Sequence, residues 1–228
     1  MKLEKITHSS DSPKRRYDDA CGTAHALDLI GERWALLVVR ELMFGPKRFG
    51  DLRTDLPGIS ANVLTQRLEG LEASGVVRRR KLPPPASVQV YELTEWGYEA
   101  EEIIQVMGRW AIRSPSHDPT LPISSAALMS SFRTMFAPSK AADLEASIGV
   151  VFGDETFLVR IAQGRLSVTR GPVDGAGTVF SGTPPALGAA VYDGQPLEDL
   201  AHAGTLSVSG DRALAERFLT LFVLPPKA

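Results

Sequence analysis

The sequence predicts two domains: a mainly helical first part carrying one β-hairpin, and an α+β second part. Three observations lead there. Before residue 114 the apolar residues recur mainly at helical spacing, whereas after residue 123 short apolar runs alternate with Gly and Pro, as strands joined by tight turns do. Between them the stretch SPSHDPTLPI (114–123) holds three prolines in ten residues and no apolar period, which reads as an extended linker. The expected division is therefore 1–113, a linker at 114–123, and 124–228.

Composition supports globular domains. The 228 residues are 43% hydrophobic, 23% charged and 7% aromatic, which disfavours disordered, collagen-like and coiled-coil chains. No run approaches the ~18 consecutive apolar residues of a membrane span, and residues 1–19 lack a signal-peptide core. A cytoplasmic protein with no membrane partner is expected. Cys21 is the single cysteine, so an internal disulfide and a thiolate metal cage are both excluded. His8, His25, His117 and His202 show no ligand spacing, and no metal or cofactor is expected.

Net charge is −2, from 25 Lys and Arg against 27 Asp and Glu, with no global sign of a nucleic-acid partner. The distribution says more. Up to Arg113 there are 17 basic and 16 acidic residues, and beyond it 8 and 11. All dense basic clusters lie in the first part: Lys14 to Arg16, Lys47 and Arg48, and Arg78 to Lys81.

Along the first part, Ala24, Leu27 and Ile30 mark a helix ended by Gly31, and Arg33 to Met43 is apolar almost all round, predicting a buried helix. Gly45-Pro46 breaks the chain, a short helix spans Arg48 to Leu56, and Pro57-Gly58 turns it again. Ser60 is a good N-cap for a helix over Ala61 to Ser74 that ends at Gly75. On that helix Val63, Leu64, Leu68 and Leu71 share one side, and Asn62, Thr65, Gln66 and Glu69 share the other. Amides and hydroxyls in a row suit base edges and phosphates in a major groove. A merely solvated face would look the same, so the next element decides the reading.

Val76 to Leu82 and Val88 to Leu93 are strand-like and joined by a Pro-rich turn. Arg78, Arg79, Arg80 and Lys81 place cations on both faces of the first strand, which suits phosphates better than a buried sheet. Helix, turn, helix and basic hairpin form the layout of a winged helix-turn-helix. Thr94 then caps a long helix whose Trp96, Ala100, Ile103, Ile104, Met107 and Trp110 form an apolar stripe suited to a dimer contact.

The stretch from Cys21 through Trp110 resembles the HxlR-type branch of the MarR-like winged-helix transcriptional regulators. The matching phrases are LDLIGERWALLVVRELMFGPKRFGDLR (27–53), LPGISANVLTQRLEGLEASGVVRR (56–79) and YELTEWG (91–97). The resemblance implies a homodimer on a pseudo-palindromic double-stranded DNA operator. It places Ser60, Asn62, Thr65, Gln66 and Arg67 toward DNA, with Lys47, Arg48, Arg78, Arg79, Arg80 and Lys81 on the backbone. Asn62 stands where the family commonly has a basic residue, so base preference does not carry over. Cys21 matches a cysteine that some members use to sense oxidants or electrophiles, although Gly22 follows it where proline is usual.

The second part reads as a helix (Ser124 to Ala137), strands at 144–152, 156–163 and 165–170, and a fourth strand around Val179. Helices at 184–192 and 197–202, a strand at 205–208 and a helix at 211–222 complete it. The order resembles the sterol carrier protein type 2 (SCP2-like) domain, through FLVRIAQGRLSVTRG (157–171), residues 178–200 and GTLSVSGDRALAERFLTLF (204–222). That resemblance implies an apolar tunnel for a hydrophobic small molecule, with Phe132, Phe136, Phe157, Phe180, Val191, Tyr192, Phe218 and Phe222 as candidate lining. The same aromatics could simply fill a core. No nucleophile elbow, phosphate loop or dinucleotide motif is present, and the adjacent acids Asp18-Asp19 and Asp154-Glu155 do not face each other, so no enzyme is expected. The expectation is a dimeric regulator modulated by an apolar effector. A hydrophobic-ligand carrier using its winged helix for dimerisation or protein contact is the alternative.

Overall fold

The computed structural model describes residues 16–228, so His8 and the Lys14 and Arg15 part of the first basic cluster lie outside the described residues. Helices α1 (Gly22–Ile30), α2 (Ala35–Leu42), α3 (Phe49–Asp55) and α4 (Ala61–Ala73) precede a hairpin of β1 (Val77–Lys81) and β2 (Gln89–Leu93), and α5 (Glu95–Ala111) follows. Val38, Val39, Leu42, Leu52, Leu64, Leu68 and Leu71 are buried where these helices meet. α2 starts two residues later than the pattern suggests, because Trp34 takes the left-handed conformation (φ 79°) at its N-cap.

Local capping follows the sequence closely. The Ser60 hydroxyl accepts from the Val63 N–H at 3.3 Å and starts α4. The Thr94 hydroxyl accepts from the Gly97 N–H at 3.0 Å and donates to the Gly75 carbonyl at 2.7 Å, tying the end of α4 to the start of α5. Gly97 must lack a side chain there, since a Cβ would lie 2.1 Å from the Val76 carbonyl oxygen. Lys47 exchanges two main-chain hydrogen bonds with Tyr91, of 3.0 and 2.9 Å, adding a single rung to the hairpin.

The second half begins with α6 (Ser125–Met135) and a short α7 (Pro138–Ala141) that the sequence reading omits. Then come β3 (Ala146–Phe152), β4 (Glu155–Ala162), β5 (Arg165–Arg170), β6 (Thr178–Gly182) and α8 (Pro184–Gly188). A π-helical turn at Ala189–Asp193, α9 (Leu197–His202), β7 (Leu206–Gly210) and α10 (Arg212–Leu219) close the chain. The sheet order is β5-β4-β3-β6-β7, antiparallel except for the parallel β3–β6 pair. The inward residues Ile148, Val150, Phe157, Val159, Val168 and Phe180 are buried on one face, whereas Arg160, Ser167 and Ser209 on the other are exposed.

The expected tunnel lining is corrected by this packing. Phe132, Phe157, Phe180 and Phe218 are fully buried. Phe132 stacks on Phe222 at 4.5 Å, and Phe218 meets Phe222 at 5.0 Å, Phe132 at 5.6 Å and Phe180 at 5.7 Å between ring centroids. Phe136 and Tyr192 flank this set, with centroids 6.4 Å from Phe222 and 6.5 Å from Phe132, and half-buried Val191 packs on the same core. Rings at these distances occupy the space between helices and sheet, so they fill a core where an open tunnel was expected.

The halves are not beads on a string. Residues 114–123 form turns rather than an extended spacer, and the chain end returns to them. The Ala228 N–H donates to the Arg113 carbonyl at 2.9 Å, and Lys227 Nζ donates to the Ile112 and Ser114 carbonyls at 3.1 and 3.2 Å. One hydrophobic cluster runs from Ala35 in α2 to Phe222. Phe132→Ala therefore removes the centre of the aromatic stack and is expected to cost about 3–5 kcal/mol in urea unfolding at an unchanged m-value.

Candidate nucleic-acid interface

α4 separates its faces as its spacing requires. Leu64, Leu68 and Leu71 are buried, and Ser60, Asn62, Thr65, Gln66 and Glu69 are exposed. Four of these carry amides or hydroxyls free to hydrogen-bond outward. Arg67 sits between the faces, half-buried, with its guanidinium 2.9 Å from Glu32 and its Nε buried without a partner. Of the two ends open to a snorkelling arginine, an acid or a phosphate, it takes the acid. Arg48 is exposed as the N-cap of α3, where its N–H donates to Asp51 Oδ2 at 3.1 Å.

The hairpin sorts its cations by strand alternation. Arg78 lies opposite Glu92, and Arg80 one step diagonally from it on the same face. Arg78 Nε donates to Glu92 Oε1 at 2.6 Å, and Arg80 Nη2 lies 2.8 Å from Oε2. On the opposite face Arg79 reaches Glu72 of α4 at 3.0 Å and stacks over Tyr91 at 5.5 Å, while Lys81 is exposed. The sequence shows the four cations of this wing but not the two acids that hold three of them. Burial pushes the Glu92 carboxyl up, and the hydrogen bonds and charges of Arg78 and Arg80 outweigh it, holding the group below the ordinary glutamate range.

Lys47 is a correction. Expected on the phosphate backbone, it is 3% exposed. Its ammonium lies 2.6 Å from Asp55, 3.3 Å from Glu41 and 3.5 Å from Glu155. A lysine so enclosed cannot reach a phosphate without abandoning three carboxylates.

The outer face of α5 remains open. Trp96, Ile103, Met107 and Trp110 point outward with Val106, and Trp110 is 73% exposed, whereas Ala100 is buried and Ile104 half-buried against the core. Ile103, Val106, Met107 and Trp110, rimmed by Glu99 and Glu102, line a shallow groove of about 510 Å³. Contiguous apolar surface of this kind is common to sites that contact proteins, ligands or membranes. Cys21 is exposed at the N-cap of α1, and the Thr23 amide, then the Thr23 hydroxyl and the Ala24 amide, hold its thiol below the ordinary value. Among the described residues, no group of three His, Cys, Asp or Glu could hold a metal ion, and no helix is long and apolar enough to cross a membrane.

Glu92 makes a pH prediction. Because its folded carboxyl is held low, the stability it contributes is present above the unfolded value of about 4.3 and is lost as pH falls through the folded one. Urea midpoints of the wild type and Glu92→Gln should differ most above about pH 5, with the wild type higher, and converge under acid.

Residues 29–118 match the HxlR-like helix-turn-helix family, and residues 123–228 match the family described as alkyl sulfatase C-terminal. The first half is 40% identical over 86 residues to the HTH-type transcriptional regulator YodB of Bacillus subtilis, spanning 38% of this chain and 77% of that protein. It is 34% identical over 102 residues to the HTH-type transcriptional regulator sll1512 of Synechocystis, spanning 45% of this chain and 76% of that one. A solved structure of the reduced form of YodB superposes with a TM-score of 0.39 at 35% identity, covering 44% of this chain and 100% of that one. With an exposed polar face on α4 beside a basic wing, and relatives matched over three-quarters of their length, this chain belongs to the HxlR-like helix-turn-helix family of DNA-binding transcriptional regulators.

Proposed function

We propose that the chain binds a pseudo-palindromic operator as a homodimer, reading bases with Asn62, Thr65 and Gln66 and gripping the backbone with Ser60, Arg48 and the wing. The observation that carries this is the exposed amide and hydroxyl row of α4 standing beside Arg79 and Lys81 of the wing. Major-groove entry needs such a row, and affinity needs cations next to it. The open apolar face of α5 supports pairing of two copies, which would set the spacing of the two recognition helices.

In this reading the second half is an SCP2-like effector domain. An apolar molecule would enter it only by parting the rings of Phe132, Phe218 and Phe222, so occupancy and packing would exclude each other. Cys21 is the candidate redox residue, on the strength of its exposure and its lowered thiol. Relatives include proteins described as quinone-bound YodB and the redox regulator HypR.

The deciding experiment enriches duplexes from a randomised pool with the full chain, then titrates an enriched and a scrambled duplex of about 30 base pairs, long enough for two half-sites one helical turn apart, at two salt concentrations. Tight, salt-sensitive preference for the enriched duplex is expected, and equal weak binding of both would overturn the proposal. Changing Arg79 and Arg80 to Ala should weaken binding to both duplexes alike and flatten the salt dependence by about one unit of slope for each phosphate no longer neutralised. Changing Met107 and Trp110 together to Glu should convert the dimer to a monomer in sedimentation; a wild type already monomeric at micromolar concentration would refute the pairing.

A further inference from the structure

The buried Lys47 is held from both halves of the chain. Its main chain pairs with Tyr91 at the root of the wing, and the next residue, Arg48, caps α3. Its side chain meets Glu41 of α2 and Asp55 of α3 in the first half, and Glu155, the first residue of β4, in the second. Arg40 lies 2.7 Å from Glu41 and Arg170 lies 3.0 Å from Glu155, so three cations and three anions share one site. A second polar link crosses the same boundary: the Ser124 hydroxyl, N-cap of α6, donates to Glu41 Oε1 at 2.7 Å.

Apolar contacts surround these links. Phe44, in the segment between α2 and α3, meets Phe157 of β4 edge-on at 5.7 Å. Arg133 of α6 lies over Phe44 at 4.5 Å and pairs with Glu101 of α5 at 2.5 Å, while also donating to the Val168 carbonyl. Thus α2, α5 and the segment between α2 and α3, with Lys47 at the wing root, each have a partner in the second half, and α3 is tied to them through Lys47 and Asp55. Glu41 is 0% exposed, so it cannot replace a missing partner with water.

We propose that the second half is a positioning part of the DNA-reading head: Glu155 and Ser124 are positioning residues that hold Lys47 and Glu41, and thereby fix α3 and the wing relative to α4. This rests on the DNA-binding reading above and adds that the reading geometry is completed by residues outside the helix-turn-helix. It also gives any event in the second half that moves β4 or α6 a direct mechanical route to the wing.

The test uses the full-length chain carrying Glu155→Gln and Ser124→Ala together, and Ser124→Ala alone in case the double variant does not fold. Affinity for a duplex enriched by the wild type is measured by titration at several salt concentrations, with circular dichroism and urea midpoints recorded in parallel. The double variant should bind about tenfold more weakly, and Ser124→Ala alone by a smaller factor in the same direction. Folded content should be intact and the salt slope unchanged, because neither residue touches a phosphate. Lys47→Gln should likewise weaken binding without changing the slope.

A pair of residues that only stabilises the fold would lower the urea midpoint and leave the affinity of the fully folded chain unchanged, and that result overturns the inference. A slope reduced by about one unit in Lys47→Gln would return Lys47 to the phosphate backbone and overturn it as well. A wild type that enriches no duplex refutes the DNA reading itself, a result distinct from normal enrichment with variant affinities equal to wild type.

Discussion

The enclosure of one ammonium group organises this molecule. Moving a lysine out of water costs several kcal/mol, and the penalty is offset only where carboxylates surround it closely. Burial alone would push the Lys47 ammonium down; the charges of Glu41, Glu155 and Asp55 and the hydrogen bond to Asp55 outweigh it and keep the group protonated. Those acids come from α2, α3 and β4, which must converge within a few ångströms for the site to exist. The convergence places the β3–β4 hairpin against the helix-turn-helix and Phe157 against Phe44. The relation between the two halves thus follows from an electrostatic requirement as much as from apolar burial.

The surface proposed to read DNA is equally sparing with charge. A net charge of −2 leaves no long-range field to draw the chain to DNA, so affinity depends on local placement. Three wing arginines are already paired, two with Glu92 and one with Glu72. These are partly exposed pairs, individually worth at most about 1 kcal/mol. Their effect is to hold flexible side chains in place and, in the proposed complex, to lower the charge that a phosphate would meet. Such an arrangement favours duplexes that fit over those attracted by charge alone.

How much is legible in the sequence varies with the kind of interaction. Ser60 and Thr94 cap their helices through N–H groups three residues further on, and Gly75 ends α4, so these caps can be read directly, whereas the need for glycine at position 97 comes from Val76 across the hairpin and cannot. The polar row of α4 and the alternation of the wing follow from backbone periods of 3.6 and 2. Lys47 misleads because, beside Arg48 and in a loop, it has the local appearance of a phosphate contact; nothing nearby announces Glu155, more than a hundred residues away. Glu155 in turn looks inert beside Asp154, because the geometry of two adjacent acids says nothing of distant partners. The aromatics of the second half are ambiguous for a different reason. A ring at a buried position has one sequence signature whether it faces a cavity or another ring, and only the centroid distances distinguish the two.

By itself the sequence determined the order of the elements apart from α7, the exposed polar face of α4, the basic wing, the apolar stripe of α5 and the α+β character of the second half. All of these rest on backbone periodicity, capping and turn chemistry over short stretches of chain. Tertiary structure alone decided that residues 114–123 fold into turns, that the two halves share one core, that Lys47 turns inward and that three wing arginines are held by acids. Those outcomes depend on which distant groups arrive at the same place. Burial and ion pairing are properties of that meeting, and no single segment carries them.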